Sequence, residues 1–60
     1  MFDPVDSDIG RRVKYTASSG FVDFGYITSF NDSVVFVRYD GQPPKANGQA
    51  TAREDLEFVD

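Results

Sequence analysis

The sequence contains no cysteine, and in a chain of only 60 residues this absence constrains how any fold is held together. Disulfides and thiolate-bound metals, which stabilise many domains of this size, are excluded. A chain this short buries only about 60% of the surface that its unfolded form exposes. Its stability must therefore come from apolar packing, for which six phenylalanines, three tyrosines and several valines are available.

Residues of high strand propensity recur in short segments separated by turn-forming residues. In chain order these segments are Gly10–Thr16, Phe21–Phe30, Val34–Tyr39, Gln49–Ala52 and Glu57–Val59. One turn of 3₁₀ helix is predicted just before the last segment, with Leu56 filling the core. No window shows a sustained period of 3.6 residues, so a long amphipathic helix is not expected. The pattern predicts an all-β domain.

Alternation with a period of two assigns the side chains of these strands to two faces. The predicted inward set is Val13, Tyr15, Val35, Val37 and Tyr39, and the third strand places Val34, Phe36 and Arg38 outward. In the second strand, Phe24, Tyr26 and Thr28 share one face, and Asp23, Gly25, Ile27 and Ser29 share the other. A shift of one residue in the third strand exchanges its two sets, and the sequence leaves that alternative open.

Gly25 interrupts the second strand, and a glycine in mid-strand indicates a bend, a bulge or a close approach of another backbone. A small barrel needs such a bend to close on itself. Asp40–Gly48 is the clearest loop, because Asp-Gly, Pro-Pro and Asn-Gly pairs all interrupt regular structure. Residues 1–9 are predicted to form a partly frayed N-terminal arm, and residues 10–60 the folded domain.

Four short motifs follow one another in an order that is typical of one kind of small domain. They are Gly10–Tyr15, Gly25–Ile27, Val35–Gly41 and Arg53–Leu56, and with the last predicted strand the pattern covers about residues 9–59. In this the chain resembles SH3-like and Tudor-like small β-barrels. The resemblance implies a five-stranded SH3-like barrel with one 3₁₀ turn before the last strand. The chain also resembles short bacteriophage and prophage proteins, which implies a small phage-encoded protein in the host cytoplasm.

The resemblance also implies two kinds of ligand, and the residues argue against both. Tudor domains bind methylated side chains in an aromatic cage, for which the candidates here are Tyr15, Tyr26, Phe36 and Tyr39. Tyr15 and Tyr39 are predicted to point inward, which leaves the cage incomplete. SH3 domains that bind proline-rich peptides usually need a tryptophan in their groove, and the chain has none.

An outward aromatic cluster is the main candidate for a binding site. Phe24, Tyr26 and Phe36 are predicted to lie on the solvent side of adjacent strands, with Arg38 beside them. An exposed cluster of this kind marks a protein–protein interface. The alternative is that the bent sheet folds this face into a second core layer, covered by residues 1–5. The sequence thus predicts a non-catalytic module that binds a protein partner.

A basic group supports a second hypothesis, in which the domain binds nucleic acid. Arg11, Arg12 and Lys14 are close in sequence, and together with neighbouring aromatic residues they suit stacking on bases and contacts to phosphates. A net charge of −4 disfavours this hypothesis, because such affinity depends on neutralising phosphates. The alternative is a solvated strand face paired with carboxylates. A third hypothesis is a homo-oligomer formed through an exposed strand edge.

Residues suited to catalysis or metal binding are scarce. The chain has no histidine, the usual general base and the commonest metal ligand. Asp3, Asp6 and Asp8 lack the spacing, glycine and final glutamate of a calcium-binding loop. We therefore expect no enzymatic activity, no cofactor and no metal. No apolar run approaches the roughly 20 residues of a membrane span, and the lack of cysteine agrees with a cytoplasmic location.

Overall fold

The computed structural model of the chain describes residues 2–43 and 48–59, which form five antiparallel strands and two 3₁₀ turns. The strands are β1 Arg12–Thr16, β2 Val22–Phe30, β3 Val35–Tyr39, β4 Gln49–Thr51 and β5 Leu56–Phe58. The 3₁₀ turns lie at Asp6–Asp8 and Arg53–Asp55. The described residues contain no α-helix. The predicted all-β class is therefore confirmed, together with the turn before the last strand.

The strands form a single sheet in the order β4-β3-β2-β1-β5. Each neighbouring pair is antiparallel, so β2 hydrogen-bonds to β1 on one side and to β3 on the other. Within the described residues, β4 and β5 have no ladder between them and stand at the two edges of the sheet. The sheet is therefore open as far as strand pairing is concerned.

Alternation along the strands places one set of side chains in the core. Val13, Val35 and Val37 are fully buried, together with Ile27 of β2. Leu56 is also buried, as expected for the residue that fills the core after the 3₁₀ turn. The register predicted for the third strand, with Val35 and Val37 inward, is confirmed. The one-residue shift would have turned both valines to solvent.

A β-bulge in β2 changes this alternation near the end of the strand. The register with β3 shifts between Ile27 and Ser29, so that two residues of β2 oppose one of β3. Ser29 is consequently exposed, and Phe30 packs against the core. The prediction that Ser29 shares the inward face of Ile27 is therefore wrong, because the extra residue reverses the phase of the strand.

Gly25 allows a close approach between β2 and β3, one of the three roles that the sequence left open for it. A Cβ atom at this position would lie 2.6 Å from the carbonyl oxygen of Arg38 and 2.7 Å from Cγ1 of Val37. No side chain fits in that space without moving the β3 backbone. The bulge itself lies further along β2.

The N-terminal segment packs against the sheet through Phe2, which is only 8% exposed and belongs to the core. Its ring centroid lies 4.6 Å from that of Phe58. The carboxylate of Asp3 accepts a hydrogen bond of 2.9 Å from Arg53, which also donates to the carbonyl of Asn31. The ring of Phe2 thus completes the apolar cluster, so the N-terminal arm contributes to the core at this position.

Candidate functional site

The predicted partner-binding residues lie mainly on the side of the sheet that faces away from the core. The surface on this side is called the outer face. It is formed by Arg12 and Lys14 of β1, Phe24 and Tyr26 of β2, and Arg38 of β3. Tyr26 is opposite Arg12 on one neighbouring strand and opposite Arg38 on the other. Its side chain is 40% exposed, whereas Phe24 and Arg38 are half-buried.

Phe36 lies on β3 two residues before Arg38, the cross-strand partner of Tyr26. It is half-buried, and its cross-strand partners are Ser29 of β2 and Ala50 of β4. The bulge in β2 separates this pairing from that of Tyr26 with Arg38. Phe36 therefore lies at the β4 margin of the outer face, and Tyr26 lies at its centre.

Arg12 is held over the centre of this face by a carboxylate from the end of β3. Its two terminal nitrogens donate to the two oxygens of Asp40, each at 2.6 Å. The guanidinium carbon lies 4.8 Å from the ring centroid of Tyr26 and 5.6 Å from that of Phe24. The backbone N–H of Asp40 donates to the carbonyl of Phe24 at 3.0 Å, which fixes the start of the loop. Such a bidentate pair adds geometric specificity that a single contact lacks.

The Arg12–Asp40 pair leads to a prediction about pH. The hydrogen bonds from Arg12 hold the pKa of the Asp40 carboxyl below its usual range. Because the folded-state pKa is the lower one, the pair contributes stability above the pKa of the unfolded chain, and the contribution is lost as the pH falls through the folded value. A carbon-13 NMR titration of Asp40 is expected to give a lower midpoint in the wild type than in Arg12→Ala. Equal midpoints in the two proteins would contradict the pairing.

The three residues of the predicted nucleic-acid site do not form one patch. Arg11 lies over the ring of Phe58, with 4.0 Å between the guanidinium carbon and the ring centroid, and it pairs with Asp8 at 3.0 Å. Arg12 is paired with Asp40, and Lys14 lies 3.7 Å from a carboxylate oxygen of Glu57. All three cations therefore face a carboxylate of the same chain.

The four candidates for an aromatic cage are divided between the two sides of the sheet. Tyr15 and Tyr39 meet edge to face, with ring centroids 5.9 Å apart, and they line a cleft of about 260 Å³. The hydroxyl of Tyr39 is 2.8 Å from Oγ1 of Thr51, and burial raises the pKa of this phenol. Tyr26 belongs to the outer face, so the four-residue cage is not assembled.

Two further features of the described part of the chain concern metals and membranes. Residues 2–43 and 48–59 contain no group of three or more acidic, histidine or cysteine side chains arranged to hold a metal ion. Two of the N-terminal aspartates instead pair with arginines, Asp3 with Arg53 and Asp8 with Arg11. Within the same residues, no helix has the length and apolarity required to cross a bilayer.

Comparisons of the chain with protein-family models, with curated proteins and with solved structures give no significant match.

Proposed function

We propose that this chain is a small non-catalytic module that binds a protein partner through the outer face, with Tyr26 at the centre of the contact. The observation that carries the proposal is the exposure of the Tyr26 ring between two arginines on the neighbouring strands. Tyrosine and arginine are enriched among the residues that dominate binding energy at protein interfaces. Phe24, Phe36 and Arg38 supply the surrounding contact area.

One side chain of the outer face is held in place by contacts within the chain. Arg12 is fixed by Asp40 and stacks on the ring of Tyr26, so fewer side-chain rotamers are lost on binding. A cleft of about 250 Å³ beside Tyr26 is lined by Arg38, Tyr39, Asp40 and Gln42. This recess accommodates one side chain of a partner next to the exposed ring.

Binding of nucleic acid is the weaker of the two functions. Arg11, Arg12 and Lys14 each have a carboxylate of the same chain nearby, so phosphate would have to displace it. The net charge of −4 adds long-range repulsion. A mobility shift with oligonucleotides at low salt discriminates the two functions, and the proposal expects no shift.

We also propose that the five-stranded sheet belongs to a barrel of the SH3-like kind. Five antiparallel strands in a single sheet and a 3₁₀ turn directly before β5 support an SH3-like barrel. A phage origin and a place in the host cytoplasm rest on the resemblance of the sequence motifs alone. Capture experiments are therefore best carried out with a bacterial lysate.

Substitution of Tyr26 tests the binding proposal directly. We expect Tyr26→Ala to weaken capture of the partner by about tenfold or more, as is usual for the central aromatic residue of an interface. Phe36→Ala should reduce capture of the same protein to a smaller extent, because Phe36 lies at the margin. The measurement is affinity capture with immobilised variants, followed by mass spectrometry and titration of the captured protein.

Phe21→Ala is the matched control, because Phe21 is an exposed aromatic residue, at 61%, that lines the cleft of Tyr15 and Tyr39 instead. It should capture the partner as the wild type does. Thermal unfolding of each variant checks that the fold is retained. Full capture by a folded Tyr26→Ala protein would refute the outer face as the binding site.

A further inference from the structure

A second surface, separate from the outer face, follows the strand at one edge of the sheet. A groove of about 550 Å³ is lined by Phe2, Arg53, Glu54, Leu56, Glu57 and Phe58. Consecutive side chains of a strand point to opposite faces. A groove that contacts Leu56, Glu57 and Phe58 in succession therefore runs along the edge of β5 and not over one of its faces.

The direction of the backbone hydrogen bonds turns towards this groove several ladder positions that have no partner among residues 2–43 and 48–59. The N–H of Val59 donates to the carbonyl of Arg12 at 3.3 Å, so Val59 and Glu57 direct their backbone groups towards β1. Leu56 and Phe58 direct theirs to the other side. The N–H of Leu56 is donated to the carbonyl of Arg53 at the end of the 3₁₀ turn. The carbonyl of Leu56 and both backbone groups of Phe58 consequently face the groove.

The side chains around the groove combine an apolar floor with an acidic rim. Phe2 and Leu56 are buried and form the floor, together with the ring of Phe58. Glu54 and Glu57 are exposed at the rim. The third charged residue, Arg53, directs its guanidinium to Asp3 and to the carbonyl of Asn31. Glu57 also lies 3.7 Å from Lys14, but this pair is exposed, so a cation in the groove can compete with Lys14 for it. Together with Glu54 it gives the rim an acidic character.

We propose that the edge of β5 binds an extended segment of a partner protein as an additional strand, with apolar residues over the floor and lysine or arginine opposite Glu54 and Glu57. Strand addition suits this site, because backbone groups give affinity and alternate side chains give specificity. A second copy of this chain is disfavoured as the occupant. It would bring Glu57 against Glu57 and join two chains that each carry a net charge of −4.

A synthetic peptide of alternating valine and lysine, capped at both ends, is the probe for this site. In nitrogen-15 NMR spectra we expect its addition to shift the amide signals of β5 and to leave those around Tyr26 unchanged. Hydrogen exchange at the Phe58 amide should slow by roughly fivefold or more, because a strand that pairs with the edge supplies an acceptor that the described part of the chain does not.

Two altered peptides separate strand addition from other modes of binding. Methylation of the peptide's backbone nitrogens on its bonding edge should abolish binding, and a valine–glutamate peptide should bind at least about threefold more weakly. Equal binding of the methylated peptide would overturn the proposal. So would shifts located away from β5, or no binding at millimolar peptide.

The protein variant that tests the rim is E54K/E57K. Both glutamates are exposed, and the contact between Glu57 and Lys14 is a surface ion pair of small energy, so the variant should still fold. A small loss of stability is expected, because a lysine at position 57 stands opposite Lys14 on β1. Its preference should reverse, with the valine–glutamate peptide bound more tightly than the valine–lysine peptide. An unchanged preference would overturn the charge assignment. Concentration-dependent dimers that protect the Phe58 amide without peptide would assign the edge to a second copy and overturn the proposal.

Discussion

Phe2→Ala is expected to unfold a large fraction of the protein at room temperature. The ring is 8% exposed and packs on Phe58, and truncation of a buried phenylalanine costs about 3–5 kcal/mol. A domain of this length has a total unfolding free energy of only about 3–9 kcal/mol. Urea denaturation followed by circular dichroism measures the unfolding free energies of Phe2→Ala and the wild type, and hence the difference between them.

Val5→Ala is the matched control for this substitution, because Val5 belongs to the same N-terminal segment but is 57% exposed. Its unfolding free energy should differ from that of the wild type by less than about 0.5 kcal/mol. If Phe2→Ala proved as mild as Val5→Ala, Phe2 would not belong to the core, and the floor of the β5 groove would lose one side.

The positions of the strands along the chain and the inward faces of β1 and β3 could be predicted, because local patterns determine them. Val13, Val35 and Val37 alternate with polar or half-buried residues, and burial of one face then fixes which side of each strand is inside. The bulge in β2 could not be predicted in the same way. Thr28 and Ser29 are equally compatible with a regular strand, and the extra residue becomes apparent only through pairing with β3.

Sequence patterns did not indicate the packing of Phe2 either. A single aromatic residue near Pro4, among aspartates, shows no period of two or of 3.6 residues. Its burial depends on the position of Phe58, which lies 56 positions later in the chain. Apolar residues outside the strands therefore need the tertiary structure to show whether they are part of the core.

The sequence predicted which residues lie on the outer face, but it did not predict the ion pair that holds Arg12 there. Tyr26 and Arg38 were identified from alternation along two neighbouring strands. The role of Asp40 was missed, because the sequence places it in a loop 28 positions after Arg12. Only the pairing of β2 with both neighbours brings the end of β3 to Arg12. Arg12 is thereby paired with Asp40, as Arg11 is with Asp8 and Lys14 with Glu57, and these pairs support the proposal of a protein partner over nucleic acid.

Gly25→Ala is expected to lower the unfolding free energy by about 1–3 kcal/mol or more, as overfilling of a packed site usually does. The added methyl group would lie 2.6 Å from the Arg38 carbonyl oxygen, so β3 must move away from β2. Gly41→Ala is the matched control, because no atom of the described residues lies within 4 Å of the corresponding position. Urea denaturation of the two variants is the measurement, and equal midpoints would show that Gly25 is not a point of close approach.

Since β3 carries Arg38 and leads directly into Asp40, the displacement of β3 in Gly25→Ala should also loosen the Arg12–Asp40 pair. In the molecules that remain folded, the pKa of Asp40 should then rise towards its usual range.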